Sequence, residues 1–202
     1  MRGTRLAPEQ GPITISLDTV EFPTAPRRLN CGCGPCSVPG WINADRIAAP
    51  GVDVCCDLRA GLPLTDASLD YAVAIHVLQD MAWTDIPGAA AELRRVLKPG
   101  GVLRLGVPDL ERAIDAYNRG DPAYFYVPDS DAASLGAKLV TQVIWYGSVR
   151  TPFTYDYAVE VLRGAGFRRV ARCAYRKTYT SHPEITSLDN RERESLFVEA
   201  TR

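Results

Sequence analysis

Three cysteines and two glycines lie within residues 29–36, and this short segment supports two different kinds of chemistry. Cys33 and Cys36 have the Cys-x-x-Cys spacing that redox-active and metal-binding motifs use. Gly32 and Gly34 follow a short apolar segment, and glycines in that position let the backbone approach a nucleotide-like ligand. The rest of the sequence has to decide between thiol chemistry and the binding of such a ligand.

The thiol-based alternatives have requirements that the neighbouring residues meet only in part. A thioredoxin-like motif opens a helix, whereas residues 37–40, Ser-Val-Pro-Gly, cannot sustain one. A zinc site made of soft ligands at short spacing is a second alternative. Its candidate ligands are Cys31, Cys33, Cys36, Cys55 and Cys56. Otherwise these cysteines are small, buried packing residues.

The composition indicates one domain with a sizeable core. The chain has 202 residues, of which 46% are hydrophobic, and its formal net charge is −1. This charge gives no reason to expect nucleic acid or an anionic membrane as a partner. No apolar run approaches the roughly 18 residues of a membrane-spanning helix, and the N-terminus lacks a compact apolar signal region. We therefore expect a cytoplasmic protein with reduced thiols.

Short apolar runs alternate with amphipathic segments, which predicts an α/β layered fold. Residues 69–75 are apolar on both faces, as expected of a buried parallel strand. Residues 86–97 have apolar side chains at helical spacing and end at a Lys-Pro-Gly-Gly sequence. Residues 1–26 are predicted to be an N-terminal extension, either a packed arm or a lid. The other predicted strands are 28–31, 41–45, 52–57, 102–107, 167–175 and 195–201, and the other helices are 109–117, 132–145 and 156–164.

The spacing of the first strands is too short for a fully wrapped doubly wound domain. Nine residues separate Cys31 from Trp41, and six separate Asp45 from Val52. A helical crossover between parallel strands usually needs about a dozen residues or more. The sequence therefore predicts that helices are reduced or missing in the first half of the sheet.

Several segments together resemble the class I S-adenosylmethionine-dependent methyltransferases. The most specific is the helix–Leu-Lys-Pro-Gly-Gly–strand unit at residues 92–103, which follows the glycine turn at the family's distance. The resemblance implies a Rossmann-like sheet over residues 27–202, with residues 121–155 as an insertion on the acceptor side. It also rests on residues 29–34, Asp45, Asp57-Leu58, residues 76–78, 153–156, 165–167 and 195–200.

The resemblance implies S-adenosylmethionine as the cofactor and assigns its contacts position by position. The two glycines would leave room for the methionine portion, and Asp45 would accept hydrogen bonds from both ribose hydroxyls. Asp57 would meet the adenine amine, and His76 would line the methionine end. Asn30 stands where many family members have an acid. The full implied set is Asn30, Cys31, Gly32, Cys33, Gly34, Asp45, Arg46, Asp57, Leu58, His76 and Val77.

Methyl transfer to a hydroxyl of a small acceptor is the reaction that the resemblance favours, with a sugar such as a methylated mannoside as the narrower hypothesis. A hydroxyl acceptor needs a base to take its proton. The candidates, in order of preference, are Asp109, His76, His182 and Tyr146. A divalent metal such as Mg²⁺ is an option for which the sequence shows no clear ligand cluster. The alternatives are a non-catalytic methyltransferase-like binding module and a thiol oxidoreductase, and both a monomer and a homodimer stay open.

Overall fold

Seven strands and four α-helices make up the part of the chain that the computed structural model describes, residues 25–202. The predicted extension at residues 1–26 lies outside the described residues except for its last two positions. The strands are β1 (Arg28–Cys31), β2 (Ile42–Asp45), β3 (Val54–Cys55), β4 (Leu69–Ile75), β5 (Leu97–Pro108), β6 (Arg169–Cys173) and β7 (Ser195–Thr201). The helices are α1 (Ile86–Val96), α2 (Leu110–Asn118), α3 (Leu135–Ile144) and α4 (Tyr155–Gly164).

All seven strands form one sheet with the order β3-β2-β1-β4-β5-β7-β6. Strands β1 to β5 run parallel to one another, and β7 runs antiparallel to both of its neighbours. The chain order reverses between β1 and β4, which is the switch point where ligands of open α/β sheets bind. The predicted α/β, Rossmann-like class I methyltransferase sheet is thereby confirmed.

The first half of the sheet lacks α-helices, as the short spacing predicted. Within residues 32–68, turns and one 3₁₀ turn at Leu58–Ala60 replace the helical crossovers. A pair of buried amides organises the first connection: Asn30 Nδ2 donates to Asn43 Oδ1 at 3.1 Å and to the Cys36 carbonyl at 3.0 Å. Asn43 Oδ1 also accepts from the backbone N–H of Val38 at 2.9 Å. Side-chain hydrogen bonds therefore hold the loop before Trp41 in place.

Helices α1 and α4 cover one face of the sheet. The apolar residues of α1 recur at helical spacing, and Ala89, Leu93 and Val96 are buried in the main core. Side chains alternate between the faces of a strand, so Leu103 and Leu105 of β5 point into this same core. Because these apolar spacings are visible in the sequence, α1 and the second half of β5 could be predicted from it.

The opposite face is covered by the long connection between β6 and β7, residues 174–194. Ile185 of this connection is fully buried in a cluster with Trp41, Tyr71, Val73 and Val102. The connection therefore does the covering that crossover helices perform in a fully wrapped sheet.

Arg104 anchors this connection from the middle of β5, and its side chain is completely buried. Its guanidinium forms a two-point contact with Asp189, at 2.6 and 2.5 Å, and donates to Glu199 Oε1 at 2.9 Å. The carbonyls of Lys177 and Ala174 accept the remaining N–H groups at 3.0 and 3.3 Å. All five guanidinium N–H donors are thus used. Burial alone would lower the pKa of Arg104, but the hydrogen bonds and charge of Asp189 outweigh it and raise the pKa.

Strand β5 begins earlier than predicted, because the sheet pairing already starts before the Lys-Pro-Gly-Gly sequence. Leu97 pairs with Leu69, and the ladder is irregular before it resumes between Val102 and Tyr71. A Cβ at Gly101 would lie only 2.9 Å from the Lys98 carbonyl oxygen, so this irregular step requires glycine. The predicted strand at residues 52–57 is shorter than expected, since only Val54 and Cys55 pair with β2.

Within residues 121–155, α3 packs beside α2, whereas Phe153 near the end of this segment is buried in the main core. In this segment α3 packs its Leu135, Leu139 and Val143 against a small cluster that includes Ala113 and Ala116 of α2. No helix in residues 25–202 is both long and apolar enough to cross a membrane.

We predict that Arg104→Met lowers the free energy of unfolding by about 3–5 kcal/mol, because it leaves two carboxylates buried without their cation. Urea denaturation followed by circular dichroism measures the change. The matched control is Arg172→Met, which removes a half-exposed partner of Glu111 and should cost less than about 1 kcal/mol. Equal urea midpoints for the two variants would contradict the anchoring role of Arg104.

Candidate active site

A cavity of about 410 Å³ opens at the carboxyl ends of β1, β2 and β4, next to the switch point of the sheet. Eight of the residues that the resemblance implied for cofactor binding line it: Cys31, Gly32, Asp45, Arg46, Asp57, Leu58, His76 and Val77. The cavity is within the size range of small-molecule sites. The turns after three neighbouring strands therefore meet around one enclosed space.

The turn after β1 serves mainly to position Asp45. Gly32 and Gly34 have φ values of 69° and 50°, in the left-handed region that favours glycine. The Gly34 N–H donates to Asp45 Oδ2 at 2.8 Å. A Cβ at Gly34 would meet no atom within 4 Å, whereas one at Gly32 would lie 2.3 Å from Val77 Cγ2. Gly32 is thus needed for packing against the β4 turn, and Gly34 borders open space.

The carboxylate of Asp45 is held in a fixed orientation at the end of β2. Its second oxygen, Oδ1, accepts from the Ile47 N–H at 2.9 Å. Each carboxylate oxygen can accept a further hydrogen bond. The group can therefore accept from two adjacent hydroxyls, such as those of a ribose.

Asp57 is engaged by its neighbour Arg59. Arg59 Nε donates to Asp57 Oδ1 at 2.9 Å, and Arg59 Nη2 donates to Oδ2 at 2.5 Å. Hydrogen bonds from Arg59 are the main reason that the pKa of Asp57 is lowered. An amine binding to Asp57 would have to share this carboxylate with the guanidinium.

His76 follows β4 directly, and its backbone has a φ of 58°, which is unusual for a residue with a side chain. Its Nε2 lies 2.9 Å from Ser195 Oγ, and its Nδ1 is buried without a hydrogen-bond partner among the described residues. Burial, with a smaller contribution from Arg191, lowers the pKa of His76 to about 3. The imidazole is therefore neutral around pH 7.

Three of the implied cofactor residues do not line the cavity: Asn30, Cys33 and Gly34. Both N–H donors of the Asn30 amide are used within the protein, on Cys36 and Asn43. Asn30 is therefore part of the loop scaffold, which explains why an amide can stand where many family members have an acid. Gly34 acts on the site through Asp45.

Three of the catalytic candidates also lie away from this cavity. Asp109 is buried and caps α2 by accepting from the Arg112 N–H at 3.2 Å, and it borders a small separate crevice with Glu194. Tyr146 is 55% exposed and donates to Asp131 Oδ2 at 2.7 Å. His182 packs against Tyr71 of β4, with ring centroids 5.0 Å apart and the rings tilted by 34°. Tyr71 lies five residues before His76 in the sequence, or about 16 Å away along an extended chain. Of the four candidates, His76 lines the cavity.

Three of the cysteines at this end of the sheet, Cys31, Cys33 and Cys56, do not have the properties of reactive thiols. Burial raises the pKa of Cys31 to about 12 and that of Cys56 to about 11, and it also raises the pKa of Cys33. Redox-active and metal-binding cysteines have lowered pKa values instead. Among residues 25–202, no group of three or more His, Cys, Asp or Glu side chains is arranged to hold a metal ion.

Residues 34–105 match the family model described as a methyltransferase domain. The matched residues contain β2, β3, β4 and most of β5, and residues at or just after the ends of β2, β3 and β4 line the cavity. This stretch is similar to a methyltransferase domain, and residues 25–202 have the fold of the class I S-adenosylmethionine-dependent methyltransferases.

Known structures have the same methyltransferase fold at low sequence identity. A methyltransferase from Archaeoglobus fulgidus is 14% identical, with a TM-score of 0.55 over 90% of this chain and 88% of that one. A Thermotoga maritima protein, described as a possible histamine N-methyltransferase, is 21% identical, with a TM-score of 0.53 over 87% and 81%. A stretch of 48 residues is 54% identical to an uncharacterized 37.1 kDa protein in transposon TN4556 of Streptomyces fradiae. That stretch spans 24% of this chain and 13% of the relative.

The cavity contains groups that fit S-adenosylmethionine. Asp45 has free lone pairs for ribose hydroxyls, and the buried Nδ1 of His76 lacks a partner within residues 25–202. Leu58 is an apolar surface beside Asp57 on which an aromatic base can pack. A carboxylate and an apolar wall are what the nucleoside part of this cofactor requires.

Several residues lining the methyltransferase cavity were not foreseen from the sequence. Ser148 and Arg150 arrive from the loop after α3, because the N–H groups of Arg150 and Thr151 donate to the Gln79 carbonyl. Some 70 residues separate these hydrogen-bonded groups in the sequence, so no local sequence pattern predicts the contact. Arg59 could have been suspected from its i+2 position after Asp57. The others are Ala44, Cys56, Leu62, Asp80 and Met81.

We predict that Asp45→Ala weakens binding of S-adenosylhomocysteine by about tenfold or more, since it removes a charged hydrogen-bond acceptor from the cavity. Isothermal titration calorimetry measures the affinity. Asp66→Ala is the matched control, because Asp66 is an exposed carboxylate outside the cavity. Equal affinities for a folded Asp45→Ala protein and the wild type would rule out the assignment of the ribose to Asp45.

Proposed function

We propose that this chain transfers the methyl group of S-adenosylmethionine to a hydroxyl of a small acceptor, and that a sugar-like polyol is the narrower candidate. When bound, the cofactor supplies an electrophilic methyl carbon on a sulfonium. The observation that carries the proposal is the cavity that Asp45 and His76 both line, in which Asp45 is anchored by two backbone N–H groups.

The protein's contribution to such a reaction is mainly alignment. Asp45 holds the ribose end, so that the rest of the cofactor extends towards the turn after β4. Nδ1 of His76 has no hydrogen-bond partner among residues 25–202 and is covered in the free protein. When the bound acceptor reaches Nδ1, its lone pair accepts a hydrogen bond from the acceptor O–H and orients the oxygen. With a pKa of about 3, His76 is a weak base. Asp80 lines the same cavity, and burial raises its pKa, which makes it a second candidate to take the proton.

The proposal ranks His76 ahead of Asp109 among the candidate bases, because His76 lines the cavity and Asp109 does not. Asp109 is occupied as the N-terminal cap of α2 and forms an ion pair with Arg112 at 3.4 Å. The proposal assigns no residue to a metal ion. The monomer and homodimer alternatives are not distinguished by it.

The test is transfer of a tritiated methyl group from S-adenosylmethionine to a panel of sugars, polyols, phenols and amines. We expect label in a hydroxyl compound. Label in amines alone would contradict the hydroxyl assignment. Cofactor binding without transfer to any compound would favour the non-catalytic binding module, and the absence of binding at hundreds of micromolar would contradict both.

The chain's two histidines provide a matched pair for the catalytic assignment. We predict that His76→Asn lowers kcat for the identified acceptor by roughly 100-fold, because the acceptor oxygen loses its orienting partner. His182→Asn, at the opposite end of β4, should leave kcat unchanged. Steady-state kinetics with both variants decide the matter, and equal rates would remove His76 from the mechanism.

A further inference from the structure

The side chain of His76 is tied to the beginning of β7 by one hydrogen bond. Its Nε2 lies 2.9 Å from Ser195 Oγ, and Ser195 is fully buried. The same hydroxyl lies 3.4 Å from the carbonyl oxygen of Asn190. Since a carbonyl can only accept, the Ser195 proton can point either to Asn190 or to His76.

The two directions of this proton correspond to two tautomers of the neutral imidazole. If the Ser195 O–H donates to Asn190, then His76 Nε2 carries a proton and donates to Ser195 Oγ, which leaves Nδ1 as a bare acceptor. If the Ser195 O–H donates to Nε2, then Nδ1 carries a proton that has no acceptor. The first arrangement makes two hydrogen bonds and the second makes one. A buried N–H without a partner is also rarer than a buried acceptor without one.

We infer that Ser195 is a positioning residue that keeps His76, which lines the cavity, in the Nε2–H tautomer, so that Nδ1, which has no partner in the described part of the chain, is the acceptor nitrogen of the ring. A role of Nδ1 towards the O–H of the methyl acceptor rests on the proposed function and requires the bound acceptor to reach this nitrogen, which is covered in the free protein. The tautomer itself is a property of the free protein.

Backbone contacts hold both His76 and Ser195 in place. The left-handed φ of His76 is unfavourable for a residue with a side chain, so other contacts have to hold it. The conformation is held by a 2.7 Å hydrogen bond from the His76 N–H to the carbonyl of Gly106 in β5. Ser195 is fixed in turn because it pairs with Pro108 at the end of β5. Three strand ends therefore bring the hydroxyl and the imidazole together.

Nitrogen-15 NMR of the protein labelled at histidine tests the inference without any substrate. Long-range ¹H–¹⁵N spectra at pH 7 distinguish a protonated ring nitrogen from an unprotonated one. The chain has two histidines, so His182→Ala assigns the signals of His76. We expect a protonated Nε2 and an unprotonated Nδ1 in the wild type. A protonated Nδ1 would overturn the inference at once, even if no variant could be made.

Ser195→Ala removes the hydroxyl and should shift both His76 nitrogens towards values averaged between the tautomers. Ser187→Ala, an exposed serine in the same connection, is the matched control and should leave the spectrum unchanged. An unchanged His76 spectrum in folded Ser195→Ala would also overturn the inference. With an acceptor in hand, Ser195→Ala should lower kcat roughly tenfold, the size of one hydrogen bond, and Ser195→Thr should restore both the spectrum and part of the rate.

The two proposals fail separately. If the spectra show the Nε2–H tautomer and no compound is methylated, then the proposed function is wrong and the positioning by Ser195 stands. If a hydroxyl compound is methylated and the spectra show Nδ1 protonated, then the inference is wrong and the function stands.

Discussion

The buried guanidinium of Arg104 is the interaction on which much of this fold depends. Within residues 25–202, the short crossovers between β1 and β4 leave one face of this half of the sheet without α-helices, and residues 174–194 cover it. A long irregular connection contributes backbone carbonyls that need partners. Arg104 satisfies two of them and forms ion pairs with both Asp189 and Glu199. A buried ion pair is costly unless every group is bonded, and here the guanidinium is saturated.

This anchored connection links the packing of the sheet to the candidate site. The connection ends at Ser195, which opens the antiparallel strand β7 and contacts His76 across the edge of the sheet. On the other side of the switch point, Gly34 holds Asp45 through a backbone N–H. Elements far apart in sequence therefore position the two residues: the glycine turn holds Asp45, and the last strand holds His76.

The sequence predicted the elements whose patterns are local. The helix at residues 86–97 was foreseen because its apolar residues recur at the spacing of one buried helix face. The strand at residues 69–75 was foreseen because it is apolar on both faces. The reduced helices were foreseen because chain length limits what a connection can form. The early start of β5 was missed, because an irregular pairing through Gly101 depends on the neighbouring backbone rather than on local preference.

The site was predictable where a residue ends a strand, as with Asp45 and His76. It was not predictable where tertiary contacts decide. The amide of Asn30 donates hydrogen bonds to Asn43 and to the Cys36 carbonyl, and His182 packs near the other end of β4. Residue spacing in the sequence reveals neither contact. The Cys-x-x-Cys spacing also suggested thiol chemistry, but the raised pKa values of Cys31 and Cys33 follow from burial, a property of the folded chain.

A crystal structure of the chain with S-adenosylhomocysteine bound tests the central claim most directly. The account predicts the ligand in the cavity at the carboxyl ends of β1, β2 and β4, with both ribose hydroxyls on Asp45 and the sulfur facing His76. A ligand bound elsewhere, or a ribose that makes no contact with Asp45, would contradict it.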